Sequence, residues 1–328
     1  MLDEKIIKDS QEVINRIIGN VEKVIIGKHD VVKLVTLCFI AKGHVLIEDV
    51  PGTGKTTLVS TLAKSVDCGF RRIQFTPDVM PSDVTGFSIF NQKTEEFEFR
   101  PGGVMSNIIL ADEINRASAK TQSALLEAME ERQVTVDSNT YKLEEPFMVL
   151  ATQNPVEQYG TYPLPEAQVD RFLVKTSVGY PDFGQEVEVV LNDMASRKNV
   201  EPVVSKGDIL KLREVAEQVI VAKPVVQYCV QIVEATRDNP EIQLGSSSRG
   251  ALALARLARA YALADGRGFV LPDDIKKLVN HTLAHRIIIS HEAKNNGRTA
   301  QDILNSIVSN IAVPMFDKKR LADDKAAR

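Results

Sequence analysis

Between residues 44 and 63 the hydrophobic period of this chain changes, and a glycine-rich segment stands at the change. His44-Val45-Leu46-Ile47 is the short apolar run of a buried parallel strand, whereas Leu58-Val59-Ser60-Thr61-Leu62-Ala63 spaces its apolar residues as a helix does. The join is Glu48-Asp49-Val50-Pro51-Gly52-Thr53-Gly54-Lys55-Thr56-Thr57. A strand, a tight turn and a helix in that order line up backbone N–H groups and a positive dipole end on one point, which suits an anion. Gly52 and Gly54 let the main chain approach phosphate oxygens, Lys55 reaches the terminal phosphates, and Thr56 offers a hydroxyl to Mg²⁺. The generic pattern has glycine where Asp49 stands, so the match is Gly-Lys-Thr with its inner glycines. The plainer alternative is a glycine-rich turn with no ligand.

A nucleotide hydrolase also needs a carboxylate for the metal and a second one to activate water. Asn107-Ile108-Ile109-Leu110-Ala111-Asp112-Glu113 supplies both: an apolar strand leading to Asp112, suited to Mg²⁺, then Glu113 as a general base. Phe147 to Ala151 is a further apolar run that ends in Thr152-Gln153-Asn154, where Asn154 can orient the attacking water or touch the γ-phosphate; otherwise it is a turn asparagine before Pro155. Arg171 follows a proline-rich loop and Arg249 opens a long helix. Either arginine can stabilise charge on a transferring phosphoryl group, or form an ordinary ion pair such as Asp170 with Arg171.

These residues carry a resemblance that covers nearly the whole chain. Ile26-Gly27-Lys28, Leu46 to Thr57, Gln74 to Asp78, Pro81 to Gly86, Leu110 to Ala117, Ala151 to Pro155 and Gly160 to Phe172 together resemble the MoxR-type AAA+ ATPases. The resemblance implies ATP and Mg²⁺ as cofactors, with Lys55 and Thr56 as the Walker A pair among Gly52, Thr53, Gly54 and Thr57. Asp112 and Glu113 become the Walker B pair, Asn154 the sensor 1 residue and Arg249 the sensor 2 residue. Arg171 becomes an arginine finger given to the neighbouring subunit, and Ile26 and Gly27 the segment against adenine. Glu-Asp-Val-Pro-Gly around Asp49 is ordinary for such proteins. Arg116 stays open between a ring contact and helix-start packing. The resemblance further implies a hexameric ring, chaperone-like remodelling or metal cofactor insertion in a protein client, and partners with a von Willebrand factor A domain.

Strand-like runs at His44–Glu48, Arg71–Phe75, Asn107–Ala111, Phe147–Ala151 and Leu173–Ser177 alternate with helical ones. That alternation predicts an α/β domain over 1–180, a parallel sheet with helices on both faces and a ligand at the strand C-termini. After the connector Tyr180-Pro181-Asp182-Phe183-Gly184 the pattern is helical, predicting a smaller all-helical lid over 181–316 and a charged tail over 317–328. Alternating residues near 87–99 and 134–143 predict two hairpin inserts, read either as client-contacting pore loops or as packing elements.

Composition narrows the partners. The chain has 328 residues, 26% of them charged, and a net charge of −4. The first hairpin sets Glu95, Glu96 and Glu98 against Lys93 and Arg100, which favours a protein client over nucleic acid, whose binding depends on phosphate contacts. No stretch has the length and apolarity of a membrane span and Met1-Leu2-Asp3-Glu4-Lys5 lacks the order of a signal peptide, so a cytoplasmic protein is expected. Cys38, Cys68 and Cys229 are widely separated and odd in number, as expected of reduced thiols without disulfide or zinc. His281 and His285 stand four apart on an expected helix and are read as a surface pair. A nucleotide-gated binding switch without turnover and a DNA or chelatase-type ring motor are the competing functions.

Overall fold

The computed structural model describes residues 2–155, 161–194 and 200–314. The expected tail over 317–328 and Gly160 lie outside the described residues. The chain packs as two compact units, one of Glu12–Glu214 and one of Met1–Gln11 with Val215–Arg328. The division therefore falls at Glu214 and Val215, whereas the sequence pattern places a connector near 180.

The N-terminal helix α1 (Glu4–Glu22) spans the first division, and α2 (His29–Ile40) follows with most of its apolar residues buried. Strand β1 (Val45–Glu48) leads into α3 (Lys55–Ser65), and β2 (Phe70–Gln74) comes next. The short helix α4 (Pro81–Thr85) precedes an antiparallel hairpin of β3 (Gly86–Asn91) and β4 (Glu96–Pro101). Strand β5 (Ile108–Asp112) and helix α5 (Ala119–Glu131), capped by the Ser118 hydroxyl on Thr121 N, lead to a second hairpin. That hairpin is β6 (Gln133–Val136) with β7 (Asn139–Lys142). The unit continues with β8 (Met148–Gln153), α6 (Glu166–Val169), β9 (Val174–Thr176) and α7 (Phe183–Met194), and α8 (Lys206–Gln218) crosses the second division.

Strands β1, β2, β5, β8 and β9 form one sheet in the order β2-β5-β8-β1-β9, with every pairing parallel. The interior strand β5 is buried along its whole length, while the edge strand β2 exposes its arginines. Side chains alternate between two faces that are both buried, which is why the interior runs read as continuously apolar. Ile109 and Ala111 of β5 and Val149 and Ala151 of β8 pack with Leu125, Leu126 and Met129 of α5, while Ile108, Leu110, Met148 and Leu150 are buried on the opposite face. This is the five-stranded α/β core expected from the sequence.

Two polar groups are sealed below the sheet. The His44 ring donates from Nε2 to Met129 O (3.2 Å) and accepts at Nδ1 from Val149 N (2.9 Å). Arg213 is 1% exposed, donates to Phe39 O and pairs with Glu145, which Arg132 also holds.

The other unit contains α9 (Lys223–Arg237), β10 (Ile242–Leu244), α10 (Ser248–Ala264), α11 (Pro272–Leu283), β11 (Ile288–Ile289), α12 (His291–Asn295) and α13 (Ala300–Asn310). It is helical as expected except that β10 and β11 pair antiparallel. Pro272 opens α11, and the buried Asp274 caps Leu271 N (2.8 Å) and pairs with Arg267. Helix α11 ends at Leu283, so His285 lies in the 3₁₀ turn Ala284–Arg286, and His281 and His285 do not share a helix as the spacing suggested. Among the described residues none of the three cysteines is in a disulfide, no cluster of three or more His, Cys, Asp or Glu is poised for a metal, and no helix is long and apolar enough to cross a membrane.

Burial, helped by the Arg132 charge, lowers the His44 pKa from 6.5 to about 3. The unfolded chain therefore takes a proton on His44 as the pH falls below 6.5, while the folded chain stays neutral there down to about 3. Stability contributed by the neutral ring is full above 6.5 and declines by about 1.4 kcal/mol per pH unit across that window. Urea unfolding at pH 7 and pH 5 should show wild type losing about 2 kcal/mol more than His44→Gln. Equal losses would refute the assignment.

Candidate active site

Every strand of the parallel sheet ends at the same edge, and the glycine-rich turn lies there. Gly54 adopts φ 82° as the residue before α3, and Gly52 adopts φ 86°. A Cβ built on either would meet nothing within 4 Å, so the requirement for glycine here is backbone conformation and the close approach of a ligand. The first N–H groups of α3, from Lys55, Thr56 and Thr57, have no acceptor within the helix and face outward at its positive end. Lys55 Nζ reaches across the turn to Val50 O (2.6 Å) and Asp49 O (3.4 Å).

Asp49, which departs from the generic motif, fastens this turn to the sheet. Its Oδ2 accepts from Val178 N (2.9 Å) and Gly179 N (2.8 Å), and its Oδ1 from Val50 N (2.9 Å). A glycine here has no carboxylate to make these bonds.

One step beyond the paired residues Ala111 and Ala151, a single hydroxyl organises both acidic residues. Thr152 Oγ1 donates to Asp112 Oδ1 (2.6 Å) and accepts from Glu113 N (2.8 Å). Glu113 takes φ 56°, a left-handed conformation uncommon for its residue type, at the start of the 3₁₀ turn Ile114–Arg116. That geometry directs consecutive side chains differently: Asp112 remains on the strand and Glu113 turns out beside it. Glu113 Oε2 accepts from Gln74 Nε2 (2.9 Å) and Arg116 Nη1 (3.0 Å).

Arg72 completes the cluster. Its Nε and Nη2 both donate to Asp112 Oδ2, at 3.0 and 2.6 Å, and Nη2 also reaches Gln74 Oε1 at 2.5 Å. The Asp112 side chain is only 12% exposed, so its charge needs such partners. The site thus favours positive charge at Asp112 Oδ2, and Thr56 lines the same cleft, a donor set that fits Mg²⁺.

The structure brings most of the expected residues together. A cleft of about 380 Å³ is lined by Gly52, Thr53, Gly54, Lys55, Thr56, Thr57, Asp112, Glu113 and Asn154, with Asp49, Arg72 and Thr152 beside them. Arg171 does not line it; its Nη2 pairs with Glu130 Oε2 (2.9 Å), on α5. Ile26 and Gly27 also lie off the cleft lining, where Gly27, at φ 68°, packs against the Gln185 side chain. Arg249 is an exposed residue of the other compact unit, its N–H bonded to Ser247 Oγ at 3.2 Å. Sequence reasoning missed Arg72, Gln74 and Thr152. Their signal was polarity inside strands: Arg72 and Gln74 at alternate positions of β2, and one threonine ending the apolar run of β8.

Thr152→Val removes the shared hydroxyl and leaves the glycine-rich turn intact. Its ATP turnover should fall about ten- to a hundredfold with nucleotide affinity little changed, and Thr152→Ser should retain most activity. A steady-state assay paired with equilibrium nucleotide binding tests this; unaltered turnover in the valine variant would refute the role of the clamp.

Comparison with known proteins agrees with this geometry. Residues 44–174 match the model of the ATPase family associated with various cellular activities (AAA), and residues 234–307 match an AAA lid domain. The chain is 40% identical over 314 residues to chaperone MoxR1 of Mycobacterium tuberculosis, covering 93% of this chain and 83% of that protein. It is 51% identical to the uncharacterized protein YeaC of Bacillus subtilis, covering 94% of this chain and 97% of that one. A solved structure of a candidate ATPase from Cytophaga hutchinsonii superposes with a TM-score of 0.89 at 43% identity, covering 95% of this chain and 98% of that chain. With the five-stranded core, the lid match and the glycine-rich turn in place, the chain belongs to the MoxR family of AAA+ ATPases.

Proposed function

We propose that the protein hydrolyses Mg²⁺-ATP in a homo-oligomeric, hexameric ring and uses the energy to remodel or mature a partner protein in the cytoplasm. The observation that carries this reading is the convergence of Lys55, Asp112, Glu113 and Asn154 on one cleft, with Arg171 outside it. Lys55 and the α3 N-terminus neutralise the phosphates and hold them in line. Thr56 and Asp112 would hold the metal, which would supply positive charge against the phosphoryl group during transfer. Glu113 accepts the proton of the attacking water, and Asn154 orients that water. Ile26 and Gly27 hold the adenine, and Arg249 reads the nucleotide from the lid.

The arginines at the cleft, Arg72 and Arg116, are held by Asp112 and Glu113 of the same subunit. Arg171 of a neighbouring copy supplies a further cation for the transition state, held in place by its pair with Glu130 until the subunits meet. The β3–β4 hairpin supports a protein client. Phe87, Ile89, Phe90 and Phe97 are exposed on it, Phe97 by 75%, among Glu95, Glu96 and Glu98. Apolar side chains in an acidic setting suit a polypeptide better than a phosphate backbone. The client works alongside a partner with a von Willebrand factor A domain, and metal cofactor insertion is one form such maturation takes.

ATP hydrolysis measured against protein concentration, with mass followed by light scattering, should rise steeply on assembly. Arg171→Ala should lose about 10³-fold or more in turnover. Mixing it with Glu113→Gln should restore part of the activity, because an intact Arg171 then faces an intact Glu113. Slow turnover indifferent to concentration and to both substitutions would replace the ring motor with a nucleotide-gated binding switch, and stimulation by single-stranded DNA would redirect it to a nucleic-acid motor.

A further inference from the structure

Two cations have a claim on one oxygen of Asp112. Oδ1 is taken by the Thr152 hydroxyl, which leaves Oδ2 for a metal, and Oδ2 is where both Nε and Nη2 of Arg72 donate. A guanidinium and a divalent cation at one carboxylate oxygen repel each other, so binding of one displaces the other. Arg72 is built to give way. It lies on the edge strand β2, its side chain is 48% exposed, and none of the apolar core depends on it.

We propose that Arg72 is a positioning residue that stands in for the metal: it neutralises and orients Asp112 before the metal arrives and leaves Oδ2 when the metal binds. The inference rests on the ATPase reading above. Without Arg72, a partly buried carboxylate would meet the incoming phosphates with its charge uncompensated, and nucleotide free of metal would be repelled. With the metal present, the carboxylate has its cation and Arg72 contributes little. A direct phosphate ligand behaves differently, because its loss weakens both forms of the nucleotide alike.

The test is equilibrium binding of a fluorescent ATP analogue to the full chain, with excess EDTA and with Mg²⁺, for wild type, Arg72→Ala and Arg72→Lys. No turnover is needed for the readout. Arg72→Ala should weaken metal-free binding by about tenfold while changing the Mg²⁺ form by less than about threefold, and Arg72→Lys should recover part of the loss. Thermal melts of each variant establish that the fold is kept. Equal weakening of the two forms, or no change in either, overturns the proposal while leaving the ATPase reading standing. Failure of wild type to bind the analogue with Mg²⁺ overturns that reading, and this inference with it.

Discussion

Parallel pairing of five strands is the constraint from which the site follows. In such a sheet the carboxyl ends of all strands meet one edge, and each crossover helix on that edge begins with unpaired N–H groups. The edge is therefore electropositive where α3 starts, and the residues at the ends of β1, β5 and β8 are the turn, the acidic pair and Asn154. Candidate site residues distant in sequence become neighbours because their strands are neighbours. Burial of β5 and β8 on both faces holds that edge rigid, as the continuous apolar runs require.

Acidic charge at this edge is handled in two ways. Asp112 stays in the strand, nearly enclosed, with its two oxygens divided between a hydroxyl and a guanidinium. Glu113 escapes the strand by a left-handed turn and keeps its carboxylate near the surface, bonded to Gln74 and Arg116. The same backbone step that separates them gives the two carboxylates different partners and different exposure.

The parts of the site that sit in contiguous residues were legible in advance. The turn from Gly52 to Thr57, the run ending in Asp112 and Glu113, and the strand before Asn154 each announce themselves by composition and period. Arg72, Gln74 and Thr152 did not, because a polar residue in a strand acquires meaning only from the strand beside it, and the order β2-β5-β8 cannot be read from local pattern. The division of the chain shows the same limit. Residues before Glu12 pack with the unit that begins at Val215, a long-range partition that no stretch of sequence near either point encodes. Likewise the β10–β11 pair joins segments more than forty positions apart inside a region whose local pattern is helical.

Asp49 carries a wider lesson about portability. Its carboxylate takes its bonding partners from Val50 beside it and from Val178 and Gly179, which follow the last strand of the sheet. The glycine-rich turn is thus not a self-contained cassette: its shape is signed for by main chain lying well over a hundred residues downstream. Transplanting the ten residues from Glu48 to Thr57 into another scaffold would carry the letters of the motif and leave its anchor behind.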